Sequence, residues 1–434
     1  MSRVSAYIPA WMKKELPQTL MPMRFSDAER RICRPKAKIA VSEWAEKNRM
    51  VENSALKGRW NNVFTPYLVG IMDCADMPGV ETVIICKSPQ TGGSEAGHNL
   101  VGYMIDRKPG PVMYVFPDEL TARENAQDRI LPMITATPRL KRYLTGNDDD
   151  ASSLRIRLRH MTISLAWSGS VSRLGNKPVR TLILDELDKY QNGKREASAE
   201  SLAEKRTTTW RRLRKIVKIS TPTTEDGPIW TAFTKEANCR MYYWAKCPHC
   251  GAMQVMVPEQ LTWPRKGEGD EPSAEQVMQE KSAGYACLSC GAVWTDADRD
   301  LAVRAGEWRE EETGERLDDY VRVHRPVKVG FHITAMMSYF VSLSETARAA
   351  IRAKSGDLQA LKDYNTQYLA IPWKEPKKDR RSRRKVLRLC AEGTCAVAPA
   401  GNSRHAPHLL YPGGHRYPEG RLPLCREGVR VWSG

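Results

Sequence analysis

The sequence predicts an α/β fold built on a mostly parallel sheet, with its chemistry at the C-terminal ends of the strands. Three observations carry this. Short apolar, β-branched runs alternate with helical patterns along the first half of the chain. One run, residues 83–86, opens directly into Lys87-Ser88-Pro89-Gln90-Thr91-Gly92-Gly93-Ser94. Another, residues 181–184, ends in the adjacent carboxylates Asp185 and Glu186. Strand ends of an open parallel sheet are where such folds bind ligands.

The first run leads into a phosphate cradle. Pro89, Gly92 and Gly93 break regular structure, and after Ser94 the apolar residues Ala96, Leu100, Val101 and Met104 recur at helical spacing. Free N–H groups of the first helical turn point at an anion, and the helix dipole favours it. The usual pattern is G-x-x-x-x-G-K-[ST]. Aligning Ser94 with its last position keeps Gly92 as the second glycine and Ser94 as a magnesium-ligand hydroxyl. Gly93 stands where the lysine belongs, and Lys87 stands in the slot of the first glycine. From there a lysine side chain can reach back over the loop to the β/γ-phosphates. The candidate nucleotide-binding residues are therefore Lys87, Ser88, Gln90, Thr91, Gly92, Gly93 and Ser94. Taken alone, the loop also reads as an ordinary glycine-rich turn.

The acidic pair changes that balance. At the edge of a parallel sheet, Asp185 would hold Mg²⁺ together with Ser94, and Glu186 would align the attacking water. Alone, the pair also reads as a strand followed by a solvated turn. Both motifs in this order point to a nucleotide hydrolase of the P-loop, ASCE type, in which an added strand and a catalytic glutamate accompany the phosphate loop.

Composition sets outer bounds. A chain of 434 residues holds two or three domains and can bury a substantial core. Its net charge of +17 points to a polyanionic partner, most simply nucleic acid. No apolar stretch is long enough to span a bilayer, and the first twenty residues carry no signal core. A soluble, cytoplasmic protein without membrane contact is expected. The eleven cysteines are grouped as for metal binding rather than spread as a disulfide scaffold.

In chain order, residues 1–58 read as an arm containing Pro9, Pro17 and Pro22, followed by a helical pattern over 26–47. Residues 59–240 form the expected ATPase core. Trp60, Phe64 and Tyr67 lie just upstream of the loop, as an adenine pocket or simply as core. Further strands are expected over 112–116, 161–167 and 216–219. Pro117, Asp118 and Glu119 open a helix running to about Ile134. Residues 168–175 form a polar loop carrying Arg173. The strand at 216–219 leads into Ser220-Thr221-Pro222-Thr223, which is either a turn coupling to the γ-phosphate or a plain strand-to-loop turn.

Residues 241–300 differ in chemistry. Cys247-Pro248-His249-Cys250-Gly251 and Cys287-Leu288-Ser289-Cys290-Gly291 are two C-x-x-C-G knuckles. Four thiolates suit tetrahedral structural Zn²⁺ with no open position, leaving His249 a bystander. The 36 intervening residues call for a ribbon with an inserted charged loop. Cys33, Cys74, Cys86 and Cys239 read as ordinary buried thiols. Residues 301–375 are expected to be a helical linker, with helices over 343–354 and 358–368. Residues 376–434 read as a basic, disordered tail, with eight Lys/Arg and one Asp between positions 377 and 388.

With these residues in place, the chain resembles the large terminase subunit of tailed phages, in the lambda-like class. The resemblance covers about residues 25–374. It rests on Ser42-Glu43-Trp44-Ala45, Arg59-Trp60, Thr65-Pro66-Tyr67, the loop with its displaced lysine, Phe116-Pro117-Asp118 and Leu184-Asp185-Glu186. It continues through Ser220 to Thr223, the two knuckles, Gly330-Phe331-His332 and the stretch from Asn365 to Trp373. It implies an ATPase that drives DNA translocation, followed by a metal-dependent nuclease. It implies ATP, Mg²⁺ and structural Zn²⁺, with double-stranded DNA, a terminase small subunit, the capsid portal and further copies of the chain as partners. Lys87 and Glu186 would be catalytic, and Arg173 is the candidate arginine finger. Between 376 and 434 the only acids are Asp379, Glu392, Glu419 and Glu427, none on a convincing strand. On this reading the nuclease is missing, and the tail is either out-of-frame translation or a genuine basic tail. The expected function is a DNA-packaging motor subunit without nuclease activity. The alternatives are a helicase-like translocase and a non-enzymatic zinc-ribbon DNA-binding protein.

Overall fold

The computed structural model describes residues 25–33, 38–54, 56–191, 197–264 and 273–374. The expected N-terminal arm, the side chain of Cys33 and the basic tail lie outside the described residues.

The helices Val41–Asn48 (α1) and Pro66–Cys74 (α2) precede the first sheet strand, Thr82–Lys87 (β1). The long helix Gly93–Arg107 (α3) follows the phosphate loop and leads to the strand Val112–Phe116 (β2) and the helix Glu119–Asn125 (α4). The strands Thr162–Trp167 (β3), Thr181–Asp185 (β4), Lys215–Ser220 (β5), Cys239–Lys246 (β6), Glu307–Glu310 (β7) and Lys328–Ile333 (β8) come next, and then the helix Leu343–Lys354 (α5). In space the parallel strands run β6-β8-β1-β5-β4-β2-β3. Antiparallel strands extend both ends of this array. Met253–Val255 and β7 pair with β6, and the hairpin of Ala151–Ser152 with Arg155–Arg157 lies beyond β3.

All five strands read from apolar runs are present. β1, β2, β4 and β5 are buried on both faces, as central parallel strands must be, whereas β3 is only part-buried at Thr162, Ser164 and Trp167. Alternate residues feed two separate clusters, because side chains of a strand point to opposite faces. Ile85, Tyr114, Leu165, Ile183 and Ile219 pack on one side. Ile84, Met113, Ala166, Leu184 and Ile216 pack on the other.

One helical expectation is corrected and another is met with a local widening. The helical pattern over 26–47 forms two helices, Asp27–Cys33 and α1, rather than one. The helix after β2 is capped by the Asp118 side chain, which accepts from Thr121 N–H at 2.8 Å. It widens into a π turn, Ala126–Ile130, before Leu131–Ala136.

The larger correction concerns residues 301–375, which are not a helical linker. β8 lies beside β1, with register pairs from Lys328↔Thr82 to Ile333↔Lys87. Its sequence hid this, because Lys328, Gly330 and His332 interrupt the apolar run. Those positions have structural causes. A Cβ on Gly330 would stand 2.8 Å from the Phe233 ring, so no side chain fits there. His332 is buried against Phe233 and Tyr242.

The boundary expected at 240/241 also falls inside β6. The first half of this strand belongs to the parallel array, and its end leads into the first cysteine knuckle. The second knuckle joins Gly284–Ala286 to Val293–Trp294 in a small three-stranded sheet.

Candidate functional site

The loop after β1 is held from several sides. Ser88 N–H donates to Ile333 O of β8 at 2.9 Å, and Ser88 Oγ donates to Tyr368 O at 2.9 Å. Thr91 Oγ1 donates to Ser88 O at 2.8 Å, and Ser338 Oγ donates to Gln90 O at 3.2 Å. Gln90 (φ 57°) and Gly92 (φ 77°) take the left-handed conformation, which glycine adopts freely and glutamine at a cost. Gly92 then caps α3, whose free first-turn N–H groups face the loop.

The displaced lysine lies across the residue that stands in the usual lysine's sequence slot. Lys87 is buried, and its side chain runs across Gly93. A Cβ at position 93 would lie 2.5 Å from Lys87 Cδ and 2.8 Å from Cε. A side chain at position 93 would force the lysine to shift from this path. Its ammonium ends 3.8 Å from Glu186 Oε1.

Asp185 ends β4 and is buried. Its Oδ2 accepts from the Tyr114 hydroxyl at 3.2 Å and its Oδ1 from Glu186 N–H at 3.0 Å. Burial pushes its carboxyl pKa up, against the pull of Lys87 and a hydrogen bond from the Ser94 side chain. Ser94 and Asp185 therefore meet, and a carboxyl desolvated in this way gains from any cation that reaches it. Glu186 sits in the left-handed region at φ 53°. Burial opposes its ionisation, but Lys87 and Lys189 outweigh that and hold its carboxyl below the usual range.

The hydroxyl turn after β5 stands next to the acidic turn, because β5 lies between β1 and β4. Ser220 Oγ accepts from Asp188 N–H at 3.0 Å. Thr223 donates to Asp188 Oδ2 from both its N–H (2.8 Å) and its hydroxyl (2.9 Å). Thr221 is buried between them in sequence. Asp188 is not singled out by the sequence, where the adjacent acids draw the eye. Its one signal is its place a turn beyond them.

Arg49, Glu95 and His98 also escape a reading of the sequence. Arg49 is buried, pairs with the Glu95 carboxylate and donates to Asn99 Oδ1 at 2.6 Å. Its guanidinium stacks 5.3 Å from the Trp60 ring centroid. Burial opposes ionisation of Glu95, but Arg49 and His98 hold its carboxyl far below the usual range. Glu95 and His98 line a cavity of about 570 Å³ beside Ser94, with Asn53, Glu124 and Asp128 opposite. The three aromatic residues read as pocket or core are separated. Tyr67 is buried against Tyr243, Trp60 carries Arg49, and Phe64 is exposed.

Arg173 is not brought to the loop. It stacks on Trp167, 5.2 Å from the ring centroid, and lines a different cavity of about 290 Å³ with Arg155 and Lys177. It lies in the short helix Val171–Gly175 after β3, and β3 is four places from β1, roughly 19 Å across the sheet at ~4.8 Å per strand.

The two knuckles do converge. The four sulfurs of Cys247, Cys250, Cys287 and Cys290 lie within 4.8 Å of one another, and the pairs 247/290 and 250/287 are 3.9 Å apart. Metal–sulfur bonds of about 2.3 Å in a tetrahedron give edges of about 3.8 Å, so the donor set fits zinc. Gly251 (φ 76°) and Gly291 (φ 73°) supply the left-handed turns behind each pair. Cys74, Cys86 and Cys239 are buried, and burial pushes their thiols up, that of Cys239 to about 12.

Comparison with known proteins matches this chain to a family. The family model described as phage terminase large subunit gpA, ATPase domain, matches residues 54–308. The model described as terminase large subunit gpA, endonuclease domain, matches residues 328–403. That second match overturns the reading that the nuclease is missing. The reading weighs acids only after Trp373, whereas the match begins at the first residue of β8. The large terminase subunit of Enterobacteria phage P21 is 23% identical over 358 residues, covering 78% of this chain and 53% of that protein. The chain thus spans about half the length of that relative. The ATPase domain of the Thermus phage P74-26 large terminase is 12% identical, covering 69% of this chain and 92% of that one, with a TM-score of 0.37. The large terminase of a thermophilic bacteriophage, solved in complex with ADP, is also 12% identical, covering 37% and 40%, with a TM-score of 0.27. The ATPase-domain model alone spans more than half of the 434 residues, and this chain belongs to the gpA family of phage terminase large subunits.

Proposed function

We propose that this chain is the motor subunit of a phage terminase, hydrolysing ATP to drive double-stranded DNA into a capsid from the host cytoplasm. The observation that carries the reading is the crossing of Lys87 over Gly93 beside Asp185 and Glu186. It brings the Lys87 ammonium, the buried Asp185 carboxyl and the Glu186 carboxylate to one helix N-terminus. Backbone N–H groups from Gln90 to Ser94 hold the phosphates, and Lys87 neutralises charge that develops as the γ-phosphoryl leaves. Ser94 and Asp185 would hold Mg²⁺, which supplies charge stabilisation when bound. Glu186 orients the attacking water. Ser220, Thr221 and Thr223 form the coupling turn. Arg173, remote from its own loop, acts as an arginine finger from a neighbouring copy. The cysteine cluster holds a structural zinc, and the small subunit and portal are the partners.

The test is ATP turnover by purified chain with and without linear double-stranded DNA, in Mg²⁺ and in EDTA. Metal-dependent, DNA-stimulated turnover that Lys87→Ala abolishes is expected, and its absence in the wild type would refute the reading. Dependence on procapsids carrying the portal separates packaging from a helicase-like translocase. Plasmid cleavage with Mg²⁺ or Mn²⁺ assays the endonuclease that the second family match brings into the proposal.

A further inference from the structure

We infer that Asp188 is a positioning residue that locks the catalytic turn, the coupling turn and the exit of the chain from the sheet into one unit. The inference rests on the ATPase reading above and goes beyond it, to how hydrolysis is tied to DNA.

The geometry is unusually complete around one side chain. Asp188 lies in the short 3₁₀ turn Leu187–Lys189 that begins at Glu186. Its N–H donates to Ser220 Oγ at 3.0 Å, so its backbone is held by the end of β5. Its carboxylate is held by the turn that follows. Oδ2 accepts from Thr223 N–H and Oγ1 at 2.8 and 2.9 Å, and Oδ1 accepts from Ile229 N–H at 2.8 Å. Gly227 leaves room for this grip, since a Cβ there would stand 2.5 Å from Asp188 Oδ2. One carboxylate thus meets three donors, two on Thr223 and one at Ile229 in the short helix Pro228–Thr231, two residues after a glutamate in the left-handed region. A conformation of that kind persists only where its surroundings over-determine it. Asp188 supplies that constraint.

The same turn is joined to the end of the described chain. Trp373 N–H donates to Thr223 O at 2.9 Å, and Thr224 forms a parallel bridge with Trp373. Lys374 Nζ lies 3.0 Å from Glu225 Oε1. A few residues earlier, Tyr368 O accepts from Ser88 Oγ in the phosphate loop, and Ala370 O accepts from His332 Nε2 at 3.0 Å. Residues 368–374 therefore touch both the loop and the coupling turn. A shift at Glu186 passes along the turn to Asp188, then by hydrogen bonds from Asp188 to Thr223 and from Thr223 O to Trp373 N–H. Residues that act through such a shared network are coupled rather than additive.

The experiment uses the full chain with four variants: Asp188→Asn, Thr223→Val, Gly227→Ala and Trp373→Pro. Asp188→Asn keeps the shape and removes one acceptor. It should leave the KM for ATP within threefold, lower kcat at least tenfold and abolish stimulation by double-stranded DNA. Thr223→Val keeps the N–H bond and loses the hydroxyl bond, so stimulation should fall in part. Gly227→Ala presses on Asp188 without removing it, and it should reproduce the kcat loss if Asp188→Asn does not fold. Trp373→Pro removes the N–H donor outside the hydrolytic site. It should keep basal turnover and lose at least half of the DNA stimulation. A purely structural Asp188 would lower the melting temperature while leaving kcat and the stimulation ratio at wild-type values where circular dichroism shows a folded protein. That result overturns the inference. Absence of ATP turnover in the wild type overturns the ATPase reading and this inference with it, and is told apart by the unmutated control.

Discussion

Lys87 lies across Gly93, with a notional Cβ of residue 93 only 2.5 Å from the lysine Cδ. Lysine and glycine have exchanged places relative to the usual phosphate-loop pattern. The side chain is rooted at the end of β1 instead of the start of α3, and a side chain at the position it leaves would displace it. Gly93→Ala should therefore act as a lysine mutation. A displacement of about 1 Å at such a site costs on the order of 100-fold in rate. Steady-state ATP turnover of Gly93→Ala should fall by about that factor, and Lys87→Ala should fall to background. Turnover of Gly93→Ala at the wild-type rate would contradict the crossing.

Glu186→Gln separates binding from chemistry. The glutamine keeps the shape and loses the charge proposed to align water, while Lys87 is released from its carboxylate neighbour 3.8 Å away. Loss of a general base costs about 10²–10⁴-fold in rate. The expected outcome is a kcat lowered within that range with ATP affinity equal to or tighter than wild type. Fluorescent-nucleotide binding and turnover on the same preparation check it.

The cysteine cluster predicts metal. Freshly purified protein should contain about one zinc per chain by elemental analysis, as four thiolates at these separations form one closed tetrahedral site. Cys250→Ser or Cys290→Ser should lower zinc content and destabilise the ribbon, seen as protease cleavage between residues 247 and 294. Zinc-free wild-type protein would exclude the site.

His332 predicts a pH dependence. Burial lowers its pKa to about 4, even though its ring donates to Ala370 O. The unfolded chain takes up this proton near the ordinary value of about 6.5, and the folded chain only near 4. Stability is therefore lost as pH falls through that window, by roughly 3 kcal/mol at most. Urea midpoints at pH 7.5 and 5 should differ more for the wild type than for His332→Gln. Equal differences would show that His332 does not titrate this way.

Much of the site was legible without coordinates. Glycine placement, the β-branched run before Lys87 and the acidic pair after Leu184 are local patterns, and strand-end chemistry follows from them. The paired knuckles likewise announced four convergent thiolates. What the sequence could not determine was which strands become neighbours. β8 carries Lys328, Gly330 and His332, and it reads as a strand only once Phe233 is known to fill the space above Gly330. Asp188 carries no signal of its own in the sequence, because its three donors come from residues 223 and 229. Arg49 and Glu95 met only through the packing of α3 against the segment that follows α1. Local chemistry is written in short stretches of chain. Partners across a sheet are chosen by burial and register, which depend on every strand at once.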